Sequence, residues 1–208
     1  EGRPQRFRSI VNCGKPAKDM VVEIRDEDGG LMNERQIGKV WTTGPSLMVG
    51  YFRDEAATAA CMAADSTNRI WLDTGDMGYL SDGYLYIVGR AKDMIIINGK
   101  NLWPQDIEWA VEQLPGFNHG DIAAFSIDTE AGEEAPAVLV HCRVSDPVER
   151  IKLRDQIADK VRGVTGMSCV VELVPPRTLP RTSSGKLSRA KAKKQYLAGE
   201  IVPLDLAA

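Results

Sequence analysis

The chain has 208 residues, 43% of them apolar, and a formal net charge of −3. This length suffices for one large domain or two small ones with buried cores, and the nearly balanced charge excludes a nucleic-acid-binding domain as the overall class. Basic residues concentrate between Arg177 and Lys194, where seven occur without an acidic residue. That segment is the local surface predicted to face phosphate.

The cysteine and histidine content argues against a disulfide framework or a zinc site. Four cysteines are irregularly spaced, no CxxC pair occurs and the chain has two histidines, which predicts reduced thiols in the cytoplasm. No apolar run reaches about 18 residues and the N-terminus lacks a signal pattern, so neither a membrane span nor a signal peptide is expected. The polar start without Met suggests a piece of a longer protein.

Residues 1–91 are predicted to form a small β-barrel or sheet. Apolar runs predict strands at residues 20–25, 37–41, 47–52, 71–76, 78–80 and 84–88, which glycine-containing turns separate. Asp54 is expected to cap a short helix that ends at Met62. Asp82-Gly83 stands between two of the predicted strands, and this dipeptide is a strong signal for a tight hairpin.

Residues 89–108 are predicted to form a hinge between two bodies. Gly89-Arg90 ends the β region, the isoleucines at 95–97 are expected to form a core strand, and Pro104 suits the first turn of a helix. Because the pattern changes from strand to helix within this stretch, the domain boundary is placed between residues 91 and 92.

Residues 92–208 are predicted to form an α/β domain, so the whole chain is of the α+β (α/β) class. Apolar residues at helical spacing follow Pro104, and they recur after the N-cap residue Asp146. Apolar runs at residues 121–128, 135–144 and 169–174 predict strands, and Ser188 is expected to cap a final basic helix. The order is hairpin, helix, two paired strands, helix, strand, loop and helix.

Lys186 lies in a loop, residues 179–186, that combines hydroxyl side chains, a glycine and an ammonium group. Such a loop with free backbone N–H groups suits an oxyanion or a phosphate, and a solvated basic loop is the alternative interpretation. The loop is not a P-loop, because Leu187 stands where Ser or Thr is required and Pro180 stands where the first glycine is required.

Asp76 and Arg90 are the candidate nucleotide contacts in the first half. Asp76 ends an apolar strand, where its carboxylate could accept hydrogen bonds from ribose hydroxyls, and an ordinary Asx turn is the alternative. Arg90 follows the return strand and could bind ribose or phosphate, or form a surface ion pair. Lys92 fits the hinge or the rim of a site, and a generic loop position is equally compatible with it.

Five motifs in one order resemble the C-terminal part of adenylate-forming enzymes, which include acyl-CoA synthetases, peptide-synthetase adenylation domains and luciferases. They are Gly44-Pro45-Ser46-x-x-x-Gly50-Tyr51, Trp71-Leu72-Asp73-Thr74-Gly75-Asp76, Gly89-Arg90-x-Lys92-Asp93, Pro104-Gln105-Asp106-Ile107-Glu108 and Pro180-Arg181-Thr182-Ser183-Ser184-Gly185-Lys186. Residues 98–108 and 179–187 are most similar to fatty-acyl-AMP ligases. The resemblance covers nearly the whole chain.

The resemblance implies a two-step reaction: a fatty acid reacts with Mg-ATP to give an acyl-adenylate, and an acyl-carrier-protein thiol then takes the acyl group. It places Asp76 at the ribose hydroxyls and Arg90 at the ribose–phosphate side of the nucleotide. Lys186 would bridge the substrate carboxylate and the α-phosphate, Lys92 would be the hinge, and Gly99 would lie beside the path of the thiol arm. Residues 1–91 would be the last β subdomain of the large domain, and residues 92–208 a mobile lid.

The sequence also departs from the family pattern. Lys39 replaces a glutamate, Ile96 stands where many relatives have a lysine, and the hinge is Lys92 where many have an aspartate. In the family, the phosphate loop, the adenine site and the acyl pocket precede this region, so ATP and Mg²⁺ would be bound mainly upstream and the 208 residues alone are expected to be inactive. An acyl-CoA synthetase that uses free CoA, and a non-catalytic module that docks a carrier protein, are the alternative functions.

Overall fold

The structure, a computed structural model, describes residues 9–129 and 132–205. The chain divides into two compact units, the first ending at Lys92 and the second beginning at Asp93. A single turn of 3-10 helix, Ala91–Asp93, spans the division.

The first unit is an open five-stranded antiparallel sheet. Its strands are β1 (Val21–Arg25), β2 (Gly38–Thr43), β3 (Met62–Ala64), β4 (Ile70–Ser81) and β5 (Tyr84–Arg90), and its helix is α1 (Glu55–Cys61). β4 pairs with β2, with β3 along its first residues and with β5 along its last ones. Because β1 and β3 each pair with one strand only, the described strands do not close, so the sheet alternative is confirmed and the barrel is wrong.

Two local predictions in this unit are confirmed, and one is wrong. The Asp54 side chain accepts a hydrogen bond from the Ala57 N–H at 2.8 Å, and the Asp82-Gly83 turn joins β4 to β5 with φ of 54° and 74°. The strand predicted at 47–52 does not form. The Tyr51 N–H donates instead to the Thr58 hydroxyl on α1 at 2.8 Å, so this segment packs on a helix rather than on a strand.

The second unit alternates helices and strands in the predicted order. Its elements are β6 (Ile95–Ile97), β7 (Lys100–Leu102), α2 (Pro104–Glu112), β8 (Ile122–Asp128), β9 (Glu134–His141), α3 (Pro147–Thr165), β10 (Val170–Val174) and α4 (Arg189–Leu197). β8 and β9 are antiparallel, β10 runs parallel to β9, and β6 and β7 form a separate hairpin.

The three-stranded sheet of this unit is buried on both faces. Ile122 and Ala124 of β8 face a core that includes residues of α2 and α3, whereas Ala123 and Phe125 face a second core that includes Ala192 of α4. Burial on both sides explains why β8 and β9 are continuous apolar runs without alternation. Leu179 belongs to the second core, so the segment between β10 and α4 is anchored before it reaches Lys186.

Candidate functional site

Residues 181–187 form a short hairpin, called here the lysine hairpin. Arg181 and Leu187 pair as an antiparallel bridge. The Thr182 N–H donates to the Lys186 carbonyl at 2.8 Å, and the Gly185 N–H donates to the Thr182 carbonyl at 2.9 Å. Gly185 has φ of 80°, which a residue with a side chain rarely adopts. The segment is therefore an exposed turn that has backbone hydrogen bonds of its own.

Side chains of the lysine hairpin support its own backbone. The Thr182 hydroxyl accepts the Lys186 N–H at 3.2 Å and lies 3.0 Å from the Ser184 hydroxyl. Arg181 donates to the Gly185 carbonyl at 3.0 Å. The sequence led us to expect free backbone N–H groups here. Those of Thr182, Gly185 and Lys186 are used within the turn, whereas those of Ser183 and Ser184 make no hydrogen bond with the residues that the structure describes. An anion at this hairpin could therefore meet two backbone N–H groups, hydroxyl groups and the ammonium.

The Lys186 side chain is exposed, and its ammonium makes no hydrogen bond or ion pair with any residue that the structure describes. A lysine on a flexible stem acts as a point charge that can reach a ligand. The Lys186 ammonium is therefore free to contact a ligand, while its backbone is held by hydrogen bonds to Thr182.

A buried histidine anchors the chain that leads into the hairpin. The Leu179 N–H donates to His141 Nε2 at 3.1 Å, and His141 Nδ1 lies 3.2 Å from Asp121 Oδ1. Because Nε2 accepts, the proton of the neutral ring is on Nδ1 and is donated to Asp121. Burial lowers the pKa of His141, and Asp121 only partly opposes this, so the neutral form is the stable one.

Asp121, the hydrogen-bond partner of His141, is held in its ionised form. Burial alone would raise the pKa of Asp121, but the donors from Asn118, His141 and Arg143 bring it below its usual value. Sequence reasoning assigned His141 no role. Asp121 directly precedes β8 and His141 ends β9, and only the pairing of these strands, in which the His141 N–H donates to the Asp121 carbonyl, brings the two residues together.

Arg189, the first residue of α4, joins distant parts of the second unit. It forms two hydrogen bonds of 2.6 Å to the carboxylate of Glu108 on α2, and a third of 3.3 Å to Asp93. Glu108 also accepts the Ala124 N–H of β8 at 3.0 Å. Burial raises the pKa of Glu108, and Arg189 opposes that rise. The pair fixes the start of α4 three residues beyond Lys186.

The two candidate nucleotide residues of the first unit lie side by side. Asp76 on β4 is directly opposite Arg90 on β5, and Arg90 Nε lies 3.2 Å from Asp76 Oδ1. The Asp76 N–H donates to the Thr74 hydroxyl at 3.2 Å, which fixes the backbone at the carboxylate. Because the pair is partly exposed, it contributes little stability and can offer an acceptor and a donor to a ligand.

Lys92 and Gly99 lie near the start of the second unit. Lys92 is exposed within the 3-10 turn. Asn98 and Gly99, with φ of 51° and 71°, form the two-residue turn between β6 and β7, and positive φ at both residues is what a type I′ turn requires. A Cβ at Gly99 would contact nothing within 4 Å. Ile96, on the same hairpin, is 53% exposed.

Residues 9–129 and 132–205 contain no group of three or more His, Cys, Asp or Glu side chains placed to hold a metal ion. Among the helices described, none is long and apolar enough to cross a membrane. All four cysteines are free thiols.

No family model matches the chain. A Caulobacter vibrioides protein named as an acyl-CoA synthetase is 45% identical over 196 residues, which is 94% of this chain and 33% of that protein. A solved structure from a study of fatty acyl-adenylate ligases of E. coli and L. pneumophila has a TM-score of 0.80 at 44% identity, over 96% of this chain and 34% of that one. This chain belongs to the adenylate-forming superfamily.

A third comparison relates this adenylate-forming chain to a carrier-protein ligase. The medium-chain-fatty-acid–[acyl-carrier-protein] ligase JamA of Moorena producens is 32% identical over 208 residues, which is 96% of this chain and 35% of that protein. The chain thus spans about a third of the length of the relatives that it matches. The fold match confirms the predicted mixed α/β architecture.

Proposed function

We propose that the chain is the C-terminal part of a fatty-acyl-AMP ligase, which activates a fatty acid with ATP and passes it to the phosphopantetheine thiol of an acyl carrier protein. The observation that carries the proposal is the unpaired ammonium of Lys186 on an ordered hairpin. The similarity to fatty acyl-adenylate ligases and to the carrier-protein ligase JamA supports the substrate class and the acceptor.

In the first step, a carboxylate oxygen of the fatty acid attacks the α-phosphorus of ATP. The bond from that phosphorus to the bridging oxygen breaks, and the electron pair leaves with pyrophosphate. Negative charge collects on both reacting groups, and Lys186 would neutralise it where they meet. A fixed positive charge in a site that excludes water is an effective way to lower such a barrier.

Asp76 and Arg90 would hold the nucleotide. The Asp76 carboxylate can accept hydrogen bonds from ribose hydroxyls, and the Arg90 guanidinium can donate to the phosphate side. Their 3.2 Å contact fits this use, because each orients the other before a ligand arrives. By the resemblance, Mg²⁺ and the ATP phosphates would be bound mainly by a region upstream of this chain.

In the second step, the mobile C-terminal lid would present a different face to the acyl-adenylate. We assign the last β subdomain of the large domain to residues 1–91 and the lid to residues 92–208, with the turn at Lys92 between them. The thiol sulfur attacks the acyl carbon, the bond from that carbon to the AMP oxygen breaks, and a base takes the thiol proton. Rotation about Lys92 would withdraw Lys186 and bring the Gly99 turn toward the thiol arm.

The test uses the full-length protein that contains this chain, a series of fatty acids, Mg-ATP and either CoA or a phosphopantetheinylated carrier protein. Acyl-adenylate and thioester are quantified by mass spectrometry. We expect adenylate in every reaction with an accepted acid, and thioester on the carrier protein alone. Absence of adenylate with all acids would refute the ligase assignment and favour the non-catalytic docking module.

An acyl-CoA synthetase is the second candidate, because the relative at 45% identity is named as one. The same assay separates the two enzymes. Efficient formation of acyl-CoA, at a rate similar to carrier loading, would move the protein to the synthetase class.

A further inference from the structure

The second unit contains a polar cavity of about 770 Å³ that the proposed reaction does not use. Three arginines line it, Arg143, Arg177 and Arg181, and the buried pair His141 and Asp121 also borders it. We call it the arginine cavity. Lys186 is not among its lining residues.

The arginine cavity carries an excess of positive charge. Its single lining carboxylate, Asp121, is already bonded to His141 and, at 3.3 Å, to Arg143. Arg181 donates to the carbonyls of Gly120 and Gly185, which are neutral acceptors and leave its charge uncompensated. With His141 neutral, three guanidinium groups face one carboxylate, so the lining has a formal charge of about +2.

Two of the three guanidinium groups also act on the buried histidine. Burial is the main cause of the lowered pKa of His141, and the charges of Arg143 and Arg181 lower it further. Both guanidinium groups therefore act on the same buried ring. The positive potential that disfavours a second proton on His141 would attract a negatively charged phosphate that entered the cavity.

Arg177 is the arginine available to a ligand. Within the part of the chain that the structure describes, its side chain makes no hydrogen bond or ion pair. Its φ of 70° is a backbone conformation that a residue with a long side chain rarely adopts.

We propose that the arginine cavity binds a phosphate group of a ligand, as a site additional to Asp76, Arg90 and Lys186. Several guanidinium groups match the oxygens of a phosphate, because each can donate two parallel hydrogen bonds. The Thr178 hydroxyl and the Gln195 amide, which also line the cavity, can add uncharged donors. The phosphate can belong to pyrophosphate or to the nucleotide end of CoA.

Isothermal titration of the 208-residue chain at constant ionic strength tests this site without any requirement for catalysis. The probes are pyrophosphate, CoA and dephospho-CoA. We expect saturable 1:1 binding of pyrophosphate, of CoA or of both. Binding of CoA at least tenfold tighter than dephospho-CoA would assign the site to the 3′-phosphate, and binding of pyrophosphate alone would assign it to the released product.

Arg177→Asn removes the guanidinium and keeps a residue that tolerates positive φ. We expect it to weaken binding of the probe about tenfold or more, as loss of a charge-assisted hydrogen bond does. Arg53→Asn is the matched control, because Arg53 is also exposed, has φ of 54° and lies in the other unit. Absence of saturable binding by the wild-type chain, or equal weakening by both substitutions, would overturn the proposal.

Discussion

Asn98 and Gly99 form a turn, and the backbone geometry of this turn is by itself sufficient to explain a glycine at position 99. Both residues have positive φ, and an alanine there costs about 1–2 kcal/mol relative to a residue suited to the left-handed region. The turn requirement and the proposed passage of a thiol arm therefore predict the same residue for different reasons. Substitutions that separate these two reasons are needed.

Gly99→Asn keeps the turn and adds a side chain, whereas Gly99→Ala adds a smaller side chain and strains the turn. We expect Gly99→Ala to lower the free energy of unfolding by about 1 kcal/mol, and Gly99→Asn by less. In the full-length protein, both variants should form acyl-adenylate at the normal rate, and Gly99→Asn should slow thioester formation more than Gly99→Ala. Normal thioester formation by Gly99→Asn would show that the glycine serves the turn alone.

Because His141 is buried, we expect the free energy of unfolding to depend on pH. Its pKa is lowered in the fold because it is buried and faces Arg143 and Arg181, with Asp121 opposing them. The unfolded chain therefore binds a proton near pH 6.5 that the folded chain resists. The contribution of His141 to the free energy of unfolding is therefore complete above that pH. It decreases as the pH falls below it, by up to about 1.4 kcal/mol per pH unit.

Urea unfolding between pH 7.5 and 5 measures this dependence. His141→Gln should flatten it, whereas His119→Gln should preserve it, because His119 is exposed. An unchanged slope in His141→Gln would show that the buried ring does not carry the effect.

At the residue scale, the sequence identified contacts that lie close along the chain or belong to a motif. Asp76 and Arg90 were candidates from their strand ends, and a hairpin turn between them brings them together. His141 was missed because its role depends on Leu179 and Asp121, which only the folded sheet places beside it. Long-range burial of a polar group has no local signal.

At the scale of secondary-structure elements, the ion pair of Glu108 and Arg189 connects α2 to the first residue of α4. Arg189→Ala would leave the Glu108 carboxylate buried without its main partner, which typically costs about 3–5 kcal/mol. Since burial raises the pKa of Glu108 and Arg189 opposes the rise, the carboxyl of the variant should bind a proton more readily. The loss of stability should therefore be smaller at pH 5 than at pH 8.

Arg162→Ala is the matched control for this substitution. Arg162 also pairs with a carboxylate, that of Asp159, but both side chains are mostly exposed, so its loss should cost less than about 1 kcal/mol. Urea unfolding at both pH values measures each variant. Equal costs for the two arginines would contradict a structural role of the buried pair.

Elements were predictable where a local rule decides them. The N-caps at Asp54 and Asp146, the Asp82-Gly83 turn and the paired strands β8 and β9 all follow from short patterns. The strand expected at 47–52 failed because the Tyr51 N–H bonds to Thr58 on α1. The short strands β3 and β7 were missed because Met62–Ala64 and Lys100–Leu102 contain no β-branched or aromatic residue, whereas the three isoleucines of β6 favour a strand.

At the scale of the whole molecule, the described chain supplies two units and about a third of the length of its relatives. Each unit presents candidate residues of its own, with Asp76 and Arg90 in the first and Lys186 in the second. The resemblance in sequence identified the superfamily because its motifs are short, ordered and spread over nearly the whole chain.

The central proposal is that the Lys186 ammonium stabilises the first transition state. The most direct measurement is the rate of pyrophosphate release by the full-length protein with fatty acid and Mg-ATP, compared between wild type, Lys186→Ala and Lys191→Ala. Lys191 is an exposed lysine on α4, so its variant controls for the loss of one positive charge. We predict that Lys186→Ala lowers the rate about 10²–10³-fold and that Lys191→Ala leaves it within about twofold. A wild-type rate in Lys186→Ala would contradict the assignment of this residue to catalysis.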